Sequence, residues 1–154
     1  MPNTYSQMYV QLVFAVKYRQ SLISSEHRVE IEKYITGMIT NKGQKLLAIY
    51  AMPDHIHILI NYKPDINLSE LVKVIKTEST KFINENNLSE KKFKWQEGFG
   101  AFTYSIREFG RVIDYIMNQE EHHKKRSFRE EYLITLMDFN VEYKDQYLFN
   151  WLDD

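Results

Sequence analysis

His55 and His57 stand two residues apart in the run Met52-Pro-Asp-His-Ile-His-Ile-Leu-Ile. Side chains alternate along an extended strand, so both imidazoles share one face while Ile56, Ile58, Ile60 and Tyr62 take the other. Held on a rigid strand, two imidazoles can reach one cation without moving the backbone. Further along, Tyr115, Gln119 and His122 fall at i, i+4 and i+7 and line up on a helix. That line runs beside the apolar stripe Phe109, Val112, Ile113 and Ile116. A phenol in such a place rests its ring on the core and keeps its hydroxyl in a polar setting, and Gln119 offers a neutral amide oxygen. If this helix crosses the sheet face bearing the histidines, two imidazoles, an amide oxygen and a phenol converge. Either pattern alone also fits a bland surface, and His122 alone reads as readily as an exposed side chain.

The elements that must position these residues alternate along the chain. Tyr9 to Val16 is strand-like, with Val10, Leu12 and Phe14 on one face and Tyr9, Gln11, Val13 and Ala15 on the other, so both faces expect cover. Ser24 and Ser25 are candidate caps for a helix carrying Ile31, Tyr34, Ile35, Met38 and Ile39, which Gly43 ends. Lys45 to Met52 and His55 to Tyr62 form a hairpin around Pro53-Asp54. Asn67 followed by Glu70 resembles a capping box for a helix with Leu68, Leu71, Val72, Ile75 and Phe82, ending near Asn86-Asn87. Phe99 to Ile106, flanked by Gly98 and Gly100, is a fourth strand, and the Phe109 helix follows. The order predicts an α/β (α+β) fold, a ferredoxin-like, RRM-like βαββαβ sheet with appended helices. Its second face is open unless an appended element or a partner covers it. The expected organisation is a single domain, 1–154, with its core over about residues 5–130 and an acidic C-terminal extension over 131–154.

A chain of 154 residues buries one compact core, so one site must carry the function. There is no cysteine, which excludes disulfides and thiolate metal sites and suits a reducing, cytoplasmic setting. No apolar run approaches the ~18 residues of a membrane span. Net charge is -1, a poor match to phosphate on average, yet the charge is divided. Residues 130–154 carry seven acids against Lys144, leaving the rest of the chain basic. Two basic clusters stand out as candidate DNA contacts: Lys91, Lys92 and Lys94, near Phe93 and Trp95, and Lys124, Lys125, Arg126 and Arg129, near Phe128. A solvated surface is the plainer explanation of the same lysines.

The Met52–Ile60 run resembles the His-hydrophobic-His (HUH) motif of the single-tyrosine transposases of small insertion sequences, and Tyr115-Ile-Met-Asn-Gln-Glu-Glu-His-His resembles their tyrosine helix. Trp95-Gln-Glu-Gly-Phe-Gly-Ala-Phe and Leu12-Val13-Phe14 add to a likeness over roughly residues 5–130. The REP-associated tyrosine transposases, domesticated relatives acting on chromosomal repeats, share these features. The resemblance implies that Tyr115 is a nucleophile forming a 5′-phosphotyrosine, and that His55, His57 and Gln119 hold Mg²⁺ or Mn²⁺; apart from the resemblance, the place of His122 on the tyrosine line makes it an alternative to Gln119 as ligand or a phosphate contact. It further implies single-stranded DNA and DNA hairpins as partners, and a homodimer in which the tyrosine helix acts in cis or in trans. Zn²⁺ or Ni²⁺ also suits such donors. Two rivals use the same fold: a non-enzymatic nucleic-acid-binding module leaves the histidine pair and the Tyr115/Gln119 register without a task, and a metabolite-binding regulatory domain needs no basic loops.

Overall fold

Strand β1 (Tyr9–Ala15) is buried at every position, and the rest of the fold follows from covering its two faces. The computed structural model describes residues 3–149, so Asp153 and Asp154 of the acidic extension lie outside the described residues. The elements are β1, α1 (Arg28–Asn41), β2 (Lys45–Ala51), β3 (His55–Asn61), α2 (Leu68–Glu85), β4 (Gly100–Tyr104), α3 (Phe109–Met117), α4 (Gln119–His123) and α5 (Phe128–Asp138). The strands form one antiparallel sheet in the order β2-β3-β1-β4, which is the ferredoxin-like arrangement expected of βαββαβ.

On the first face, Leu12, Phe14, Ile56, Ile58 and Ile60 pack with Ile31, Ile35 and Ile39 of α1 and Leu71, Val72 and Ile75 of α2. Burying each such side chain contributes about 1.5–3 kcal/mol, so this layer fixes the register that aims the histidines at the opposite face. A ring stack of Tyr34 on Phe82, 4.0 Å between centroids, joins the two helices. Asn67 caps α2 by accepting from the N–H groups of Ser69 and Glu70. Helix α1 starts later than its serines suggest, at Arg28, because Ser24 Oγ accepts from the His27 N–H in a preceding turn.

The second face is covered by the chain itself. Helix α3 sets Val112 and Ile116 against Tyr9, Tyr50 and Leu59, with the Phe109 ring stacked on Tyr9. Helix α5 starts at a cap in which Ser127 Oγ accepts from the Glu130 N–H, and it buries Phe128, Tyr132 and Leu136. The boundary expected near residue 130 therefore falls inside a packed helix. β4 is shorter than predicted, beginning at Gly100, where a Cβ would lie 2.5 Å from Tyr132 Oη; α5 approaches the strand too closely for any side chain there. The helix expected to run through Tyr115 and His122 breaks at Asn118 (φ -111°, ψ 31°), which separates α3 from α4.

Candidate active site

Cross-strand pairing places His55 opposite Ala15 and His57 opposite Val13, so both imidazoles emerge on the second face, under α3 to α5. Both are buried. His55 Nδ1 lies 2.8 Å from Asp54 Oδ1, and a carboxylate there accepts a hydrogen bond from the ring's Nδ1–H and leaves Nε2 with its lone pair. That Nε2 is buried without a hydrogen-bond partner. Burial drives the His55 pKa down to about 4 despite the Asp54 contact, which keeps the ring neutral and fit to ligate. Its flat face lies on the Phe128 ring, 3.8 Å between centroids.

His57 Nδ1 meets Gln11 Oε1 at 2.8 Å, and Gln11 in turn donates from Nε2 to Tyr104 Oη, which fixes the amide's orientation. The second ring nitrogen, Nε2, is 3.0 Å from Glu131 Oε1. With Nδ1 carrying the proton toward Gln11, two lone pairs would face each other across that gap unless a proton or a cation sits between them.

Tyr115 projects from α3 into the same space, its ring edge-on to His57 and its hydroxyl donating to Glu131 Oε2. Burial first, then the Glu131 carboxylate, pushes the phenol pKa well above its ordinary value. Glu131 itself is held far below the usual carboxylate range, because His57 and His123 outweigh the cost of its burial. Gln119 is fully buried. Its Oε1 lies 3.1 Å from His123 Nε2, at the edge of the same cluster. Within α4, Gln119 and His123 are four residues apart and share a face, whereas His122 is turned about 100° from His123, to the other side of Gln119. Accordingly His122 stands outside the cluster and stacks on the Tyr115 ring, 4.3 Å between centroids.

His55, His57, His123 and Glu131 each offer a donor atom, and these atoms lie within 4.8 Å of one another. An orphaned imidazole nitrogen, two further imidazoles and a buried carboxylate facing inward are the donor chemistry a divalent cation requires. The sequence motifs assigned neither His123 nor Glu131 as a ligand. Both had a signal: His123 repeats the four-residue spacing from Gln119, and Glu131 falls within the buried stripe Phe128, Tyr132 and Leu136, where an acid has no packing purpose.

A cavity of about 480 Å³ opens on the Tyr115, His57 and Glu131 side and is edged by Arg111 and Arg126. On the His55 and His123 side a second recess is bordered by Lys124, Lys125 and Arg126. Arg129 is exposed on α5, and Lys91, Lys92 and Lys94 are exposed on the loop before β4. The aromatics beside these clusters do not face solvent. Phe93, Trp95 and Phe128 are all buried, with Trp95 set edge-on between Phe14 and Phe93, so they hold the loops in place and offer no stacking platform.

The chain matches the family model described as "Transposase IS200 like" over residues 4–119. ISDra2 transposase TnpA of Deinococcus radiodurans is 24% identical over 120 residues, covering 75% of this chain and 86% of that protein. The transposase for insertion sequence element IS200 of Salmonella typhimurium is 27% identical over 119 residues, covering 73% and 77%. Among solved structures, a putative transposase from Deinococcus radiodurans superposes with a TM-score of 0.60 at 22% identity, over 76% of this chain and 94% of that one. A REP-associated tyrosine transposase bound to a REP hairpin superposes with a TM-score of 0.59 at 16% identity, over 99% and 90%.

Proposed function

Since this chain belongs to the family of IS200-like transposases, we propose that it cuts and rejoins single-stranded DNA with Tyr115 as nucleophile, beside a divalent cation held at His55 and His57. One observation carries this reading: the Tyr115 hydroxyl and the His57 imidazole meet on the two oxygens of a single buried carboxylate, Glu131.

In the proposed reaction the Tyr115 oxygen bonds to phosphorus while the bond to the 3′-oxygen breaks. The DNA 5′-phosphate becomes joined to the tyrosine, and the leaving 3′-oxygen takes up a proton. Because the phosphodiester energy is kept in the new link, a 3′-hydroxyl can reverse the step and rejoin the strand. The chain's residues set this up. Phe109, Val112 and Ile116 anchor α3 and so position the phenol, and Glu131 Oε2 accepts the phenol's hydrogen bond and takes up its proton as the bond to phosphorus forms. Asp54 and Gln11 fix the two imidazoles so that their Nε2 atoms converge. When bound, a divalent cation polarises a phosphate oxygen and lowers the cost of forming phenoxide. The family likeness implies Mg²⁺ or Mn²⁺ there, with the Gln119 oxygen beside the histidines.

The DNA path follows the basic groups at the site's two openings: Arg126 reaches both, and Lys124 and Lys125 border the second. A hairpin ligand is supported by the solved relative that carries one on this fold. We take the working unit as a homodimer on the family likeness alone, and place Tyr115 in its own chain's site, where its hydroxyl meets Glu131.

The test is incubation with labelled single-stranded DNA from the flanks of the gene plus Mn²⁺. A covalent protein–DNA adduct is expected for the wild type and none for Tyr115→Phe, which removes one oxygen and keeps the ring packed. Normal adduct levels in that variant would exclude Tyr115.

A further inference from the structure

The two donors that accompany the histidine pair most closely come from beyond residue 119, where the family match ends. His123 closes α4 and Glu131 lies in the buried stripe of α5. Glu131 is only 6% exposed, and beside the Tyr115 hydroxyl on its Oε2 its ionic partners are two imidazoles, His57 Nε2 at 3.0 Å and His123 Nε2 at 3.4 Å. A buried carboxylate is costly unless it meets positive charge. His55 contributes an unpartnered nitrogen from the third side.

We propose that His123 and Glu131 complete, with His55 and His57, a site of three imidazoles and one carboxylate selective for borderline transition-metal ions of the Zn²⁺ and Co²⁺ class over Mg²⁺. This deepens the preceding functional reading and rests on its metal site. The reason is donor chemistry. Mg²⁺ favours six oxygen ligands in near-octahedral array and keeps several waters. Nitrogen-rich sets favour the later first-row ions, and three imidazoles with a carboxylate suit four-coordinate Zn²⁺ or Co²⁺. Gln119 Oε1, 3.1 Å from His123 Nε2, adds one further oxygen at the rim. Helix α5 therefore does more than cover the sheet: it brings the only charged donor of the set, and its packing through Phe128 and Tyr132 holds that donor against the histidines.

The experiment is calorimetric titration of metal-stripped full-length protein with Zn²⁺, Co²⁺, Mn²⁺ and Mg²⁺ in the absence of DNA, with the visible absorption of bound Co²⁺ as a coordination readout. Zn²⁺ and Co²⁺ should bind at least a hundredfold more tightly than Mg²⁺. Glu131→Gln and His123→Ala should each weaken Zn²⁺ at least tenfold and alter the Co²⁺ spectrum. Circular dichroism and melting of the metal-free variants check folding, and Glu131→Asp, which keeps the charge, serves if Glu131→Gln fails to fold. Wild-type Zn²⁺ affinity in Glu131→Gln and His123→Ala, with loss in His57→Ala, would overturn the proposed donor set and leave the histidine pair intact. Equal affinity for Mg²⁺ and Zn²⁺ would overturn the selectivity. No binding of any of the four ions by the wild type would sink this site together with the metal in the functional reading, whereas the adduct assay judges Tyr115 separately.

Discussion

His57 shows how much a single side chain is asked to do. Gln11 fixes one of its nitrogens and Glu131 faces the other, and neither contact involves the basic groups at the openings of the site. Replacing His57 by Ala should therefore abolish metal-dependent adduct formation, a loss of well over tenfold, while binding to a DNA hairpin, measured by gel shift without metal, stays within a few-fold of wild type. A variant that lost hairpin affinity and still cleaved with Mn²⁺ would move the histidine from chemistry to recognition. Removing the imidazole takes one contact each from Gln11 Oε1 and Glu131 Oε1, which should also lower stability by about 1–3 kcal/mol, so the comparison belongs well below the melting transition.

Among the elements, α5 joins fold to site most directly. It meets β4 at Gly100, where an added Cβ would lie 2.5 Å from Tyr132 Oη, 2.9 Å from Phe102 Cε2 and 3.0 Å from Tyr132 Cε1. The Tyr132 ring cannot easily yield, since it packs against Phe128 and Phe149. Gly100→Ala should thus displace α5 and destabilise the protein by about 1–3 kcal/mol, read as a lowered denaturant midpoint at unchanged slope. Because Glu131 lies one residue before Tyr132, adduct formation should fall at temperatures where the variant remains folded. Unchanged stability together with unchanged activity would mean that α5 has slack at this crossing and that Glu131 is not held by it.

Over the whole molecule, a net charge of -1 must be reconciled with a polyanionic partner. The Debye length at physiological salt is about 8 Å, so local groups outweigh the overall balance. Lys124 is half committed already, in an exposed pair with Glu121 at 3.0 Å, a contact worth little in water. Neutralising Lys124, Lys125 and Arg126 together should weaken DNA binding and flatten the slope of log affinity against log salt by up to about two units, at roughly 0.7 per single-strand phosphate contact. An unchanged slope would show a solvated helix end and would put the DNA path along Lys91, Lys92 and Lys94 instead.

The sequence by itself determined the parts of this protein that depend on local periodicity. Alternation in β1 and β3 put His55 and His57 on one face, the helical stripes gave α1 and α2 their buried sides, and the order of elements was enough for the ferredoxin-like sheet. Spacing also brought Tyr115 and Gln119 to a common line, and the HUH resemblance pointed to the transposases before any contact was known. What only the tertiary structure decided depends on contacts between segments distant in the chain. The break at Asn118 turns His122 onto the Tyr115 ring and His123 toward the cluster, because a helix end is set by packing as much as by propensity. The buried places of Phe93, Trp95 and Phe128 could not be read from lysines beside aromatics, since neighbours in sequence point different ways. Glu131, counted with an acidic extension by composition, lies instead among three imidazoles, because α5 folds back across β4 and the burial of Phe128, Tyr132 and Leu136 outweighs the cost of carrying one carboxylate inside.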